Sequence, residues 1–103
     1  MELHRMMESI TASSNLVASQ MGVLTEQQVQ QSTDSIVSSL ALQIRAVQDM
    51  DATDAVQLTE LISGTCFHEQ GKAILAAAVS ERCNSLSLNG NHERGQAHHH
   101  MCN

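Results

Sequence analysis

The sequence predicts an all-α fold: a small three- to four-helix antiparallel bundle over residues 1–86, with a disordered C-terminal tail over residues 87–103. Three observations carry this. Proline is absent, and Gly22, Gly64 and Gly71 are the only glycines before Gly90, so little in the chain forbids helix. Apolar residues recur at spacings of three and four, the period of one helical face. Helix-opening signatures stand at Thr25 and Asp51, where they divide the chain into segments of ordinary helix length.

The first segment runs from Leu3 to Met21. Leu3, Met7, Ile10, Ser14, Val17 and Met21 share one face, Ser13 and Ser14 weaken the middle, and Gly22 stops the helix. The second helix opens at Thr25-Glu26-Gln27-Gln28. This is a capping box, in which the Thr hydroxyl and the Gln amide each satisfy an orphan backbone N–H. Its face is Val29, Ile36, Leu40, Ile44 and Val47, widened by Val37 and Ala41, and it extends to Gln48.

Asp49-Met50-Asp51 interrupts. Acidic residues oppose the dipole at a helix C-terminus and suit the N-terminus of the next helix, which places an N-cap at Asp51 with Asp54 at the third helical position. The third helix spans residues 52–63. It turns Ala55, Leu58, Leu61 and Ile62 inward, with Val56 at the flank, and ends at Gly64. Thr65 then caps a fourth helix from Cys66 to about Leu86, with Phe67, Ile74, Leu75, Ala78, Val79 and Cys83 on its inner face. Ala76-Ala77-Ala78 favours helix strongly, and Gly71 allows a tight crossing beside Phe67. From Ser87 onward periodicity stops and almost nothing is left to bury.

A chain of 103 residues is one domain at most. Phe67 is its one aromatic residue, and Leu, Val, Ile and six Met supply the rest of the large apolar side chains. Without further aromatics the chain lacks the usual stacking platform for nucleic-acid bases, and its monomer is expected to be marginally stable. The formal charge is −6, all of it within residues 1–64; the remainder balances. No basic stripe is available for phosphates or an anionic membrane, and no run approaches the roughly 18 apolar residues of a membrane span. The first ten residues carry Glu2 and Glu8 and no continuous apolar run, unlike a secretory signal. Cys66, Cys83 and Cys102 are odd in number and lack a framework spacing, which points to a reducing, cytoplasmic compartment.

Two clusters mix ligating or nucleophilic side chains. Cys66-Phe67-His68-Glu69 combines a thiol, an imidazole and a carboxylate at an expected helix N-terminus, where a thiolate is stabilised. Residues two apart on a helix do not face each other, so His68 is badly placed to activate Cys66. A buried small hydrophobe is the simpler reading of that cysteine. The tail carries His92, His98, His99, His100, Met101 and Cys102, all ligand types for zinc, nickel or copper. A mobile tail must lose entropy to close on a metal and offers no outer shell to orient the rings, so we read it as a polar terminal segment. Phosphate loops, dinucleotide fingerprints, nucleophile elbows and paired-Cys zinc motifs are all missing, and His68-Glu69 meets Lys72 where a metalloprotease needs a second His.

The resulting expectation is a helical protein-interaction or self-association module without catalytic residues, cofactor or metal. Its partner is itself or another helical protein, not nucleic acid or membrane. The face through Leu3, Met7, Ile10, Val17 and Met21 is the candidate interaction surface. That face either covers the other three helices or pairs with a second copy. The alternatives are a thiol-based redox or enzyme-type role centred on Cys66, and metal binding by His98, His99, His100 and Cys102.

Overall fold

Local chemistry sets the helix boundaries. At Thr25 the side chain accepts from the Gln28 N–H at 3.1 Å, while the Gln28 amide oxygen accepts from the Thr25 N–H at 3.0 Å. Asp51 and Asp54 make the same reciprocal pair, at 2.8 and 3.3 Å. Gly22 takes φ +86°, a left-handed conformation that a side chain resists. The following N–H groups of Val23 and Leu24 both turn back to the Gln20 carbonyl oxygen. The result, in a computed structural model that describes the backbone of residues 2–90 and the side chains of residues 2–86, is four helices: α1 (Glu2–Gln20), α2 (Glu26–Arg45), α3 (Ala52–Ser63) and α4 (Glu69–Gly90). Among the described residues there is no strand.

α1 packs closely on α2 and α3, and so does α4, whereas the backbones of α1 and α4 do not approach closely among the described residues and neither do those of α2 and α3. The helices therefore stand at the corners of a square, with α1 diagonal to α4. Ile10, Val17, Ile44, Leu58, Ile62, Leu75 and Val79 fill the centre, each almost completely buried. Phe67 also reaches the core, from the loop ahead of α4.

The stripes differ in phase from the sequence expectation in three places, for one reason. A residue lies about 100° from its neighbour on a helix, so a flank residue of the right type is easily mistaken for the centre of the face. In α1, Met6 is buried and Met7 is half-buried. In α2, Val37, Leu40, Ala41 and Ile44 are buried, while Val29 and Ile36 sit at the rim. Thr33 is buried with them because its hydroxyl donates to the Val29 carbonyl oxygen at 2.7 Å, which leaves no orphan polar group. In α4 the buried stripe centres on Leu75, and Ile74, one residue earlier, is 41% exposed.

Three boundaries also move. α2 ends at Arg45, not Gln48, because the chain turns there to bury Val47 and Met50. The N–H of Gln48 donates to the Glu2 carboxylate at 2.8 Å, which ties this turn to the first residue of α1. α4 starts at Glu69 rather than Cys66. Thr65 is not its cap: the Thr65 hydroxyl donates backward to the Ile62 carbonyl oxygen at 2.6 Å and closes the end of α3. Finally, the backbone of α4 runs as helix through Gly90, past the end near Leu86 that the sequence suggests. The rest of the segment expected to be disordered lies outside the described residues.

Candidate functional site

The C-terminal end of α1, the start of α2 and the loop ahead of α4 enclose an open cleft of about 440 Å³. Its apolar wall includes Val17, Met21 and Leu24, and Glu26, Cys66 and His68 are among its polar residues. Met21 and Leu24 are 50% and 37% exposed, and Val23 stands 78% exposed at the turn between them. Three large apolar side chains within four consecutive residues are thus left in solvent beside a concavity.

The polar side of the cleft is built around His68, the N-cap of α4. The Lys72 N–H donates to the His68 carbonyl oxygen at 3.0 Å, the first bond of the helix. The ring completes the cap: its Nδ1 accepts from the Gly71 N–H at 3.0 Å. An acceptor Nδ1 places the ring proton on Nε2, and Nε2 lies 2.8 Å from Asp34 Oδ1 on α2. Gly71 makes this possible. A Cβ there would lie 3.1 Å from Val37 Cγ2 and 3.4 Å from the His68 Cε1, so a side chain would crowd both the α2–α4 crossing and the capping ring.

Cys66 is exposed and free. Its backbone N–H donates to Ser14 Oγ at 3.0 Å, so a serine that weakens α1 in isolation serves to anchor the loop. The later start of α4 leaves Cys66 three residues short of the helix, outside the first turn where the dipole acts. Both nitrogens of His68 are already engaged, one by Gly71 and one by Asp34, so the ring would have to give up the α4 cap to take a proton from the thiol. Asp34 and Ser14 were not singled out as site residues from the sequence. They act on this region from 34 and 52 positions away, and no local pattern marks them.

The other candidate residues are dispersed. Ile10 and Val17 are buried within the bundle, Leu3 and Met7 pack half-buried against its core, and Met21 opens onto the cleft. His98, His99, His100 and Cys102 lie outside the described residues. Among the described residues no group of three or more His, Cys, Asp or Glu could hold a metal ion, and no helix is long and apolar enough to cross a membrane. Cys83 is buried on the inner face of α4. No protein-family model matches the chain, and neither does any curated protein or solved structure.

Proposed function

We propose that this chain is a helical protein-interaction or self-association module, without catalytic activity of its own, and that it engages its partner through the cleft at the α1–α2 turn. The observation that carries the reading is the exposure of Met21, Val23 and Leu24 beside that concavity. A monomer gains nothing by holding three such side chains in water. A partner helix would cover them, each contributing on the order of 1–3 kcal/mol on full burial. The acidic balance of residues 1–64 speaks against nucleic acid as that partner. Of the five sequence-derived face residues, Met21 is the one left free for such a role, since Ile10 and Val17 already serve the bundle.

Sedimentation and light scattering over about 1 to 100 µM test self-association. The reading expects a rise in mass with concentration, abolished by Met21→Glu with Leu24→Glu. A monomeric mass throughout would remove self-association and leave only a foreign helical partner.

A second reading, thiol-based redox chemistry at Cys66, has one observation in its favour: the thiol is free, exposed and on the wall of the same cleft.

A further inference from the structure

We propose that His68 is a pH-operated cap on α4: the neutral ring holds the Gly71 N–H, and the protonated ring releases it while keeping Asp34. The argument is one of hydrogen-bond stoichiometry. A neutral imidazole has one donor and one acceptor nitrogen. Here Gly71 supplies a backbone N–H, which can only donate, so Nδ1 must be the acceptor and Nε2 must carry the proton toward Asp34. The sole position left for a second proton is Nδ1. Adding it turns the acceptor into a donor aimed at another donor, so the cap bond breaks. The Asp34 contact survives as an ion pair. The new charge also faces the N-terminal, positive end of the α4 dipole, which discourages the ring from staying in place.

The surroundings leave this exchange in control. From α2, Asp34 pairs with the ring and Glu26 lies on the same cleft. From α4, the Lys72 ammonium is 3.6 Å from the Glu69 carboxylate and donates to the Ser63 carbonyl oxygen. The loop contributes the Cys66 thiol, α1 brings Val17, and the turn after α1 brings Met21, Gly22 and Leu24, four residues without a titratable side chain. Loss of the cap loosens the first turn of α4, which follows directly on the cleft residue His68 and in which Gly71 is buried.

Nitrogen-15 NMR of the full chain from about pH 8 to 5, the span over which imidazoles titrate, tests the proposal. At the upper end the His68 ring is expected as the Nε2–H tautomer. As the ring protonates, the Gly71 amide resonance should move with it and its exchange protection should fall severalfold. In His68→Asn, which keeps a capping acceptor that does not titrate, the Gly71 amide should be indifferent to pH. In Asp34→Asn, which keeps both ring and cap, it should still follow the ring. An Nδ1–H tautomer at pH 8, a Gly71 amide that ignores ring protonation in the unaltered chain or in Asp34→Asn, or an unchanged response in His68→Asn would each overturn it.

Discussion

Arg82 Nε, on α4, donates to the backbone carbonyl oxygen of Val47, two residues past the end of α2. Lys72, ten residues earlier on α4, donates to the carbonyl oxygen of Ser63, the last residue of α3, at 3.1 Å. Both neighbours of α4 thus end on a cation that α4 supplies, at the helix pole that favours positive charge. Arg82→Met keeps the aliphatic stem and removes the donor. It should lower stability by about 1–2 kcal/mol, read as a shift in the urea midpoint. An unchanged midpoint would mean that water replaces the guanidinium at no cost.

The phase of the helical stripes makes a paired prediction. Leu40→Ala should destabilise by about 2–5 kcal/mol, because the side chain is buried against α2's neighbours and leaves a cavity. Ile74→Ala removes an equally apolar side chain that is 41% exposed. It should cost less than half as much, and the ratio of the two in chemical denaturation checks how α4 is rotated.

Capping boxes were legible in the sequence because everything they need lies within four residues: Thr25 with Gln28, and Asp51 with Asp54. The start of α4 was not. Its cap is a histidine, outside the usual Ser, Thr, Asp and Asn set, while Thr65 looks like a cap but spends its hydroxyl on α3. The cleft was legible only in part. Met21 and Cys66 stood out by type, but the contacts that shape the site, Asp34 to His68 and Ser14 to Cys66, join helices that sequence spacing does not bring together.

Gly71 should behave against helix propensity. Within an exposed helix Gly→Ala stabilises by roughly 0.5–1 kcal/mol. Here the added Cβ would sit 3.1 Å from Val37 Cγ2, and Val37 is 1% exposed, with little room to retreat. Gly71→Ala should therefore destabilise, by about 1 kcal/mol or more. Val37→Ala opens that space, so the double variant should be more stable than the sum of the single effects implies. Strict additivity in a double-mutant cycle would show that the two side chains do not meet.

The thiol of Cys66 offers the sharpest division between an interaction module and a redox or enzyme-type role. An activated cysteine needs a base that can take its proton, and the nearest imidazole in sequence is that of His68. That ring spends Nδ1 on the Gly71 N–H and Nε2 on Asp34, so it holds α4 in place and would have to release the cap to serve Cys66. Alkylation by iodoacetamide should accordingly go readily, since Cys66 is exposed, and its pH–rate profile should be the same in His68→Asn as in the unaltered chain. Circular dichroism would confirm that the variant remains helical. If His68→Asn instead slows alkylation about tenfold at neutral pH, the imidazole does assist the thiol, and the redox reading of the cleft displaces the binding one.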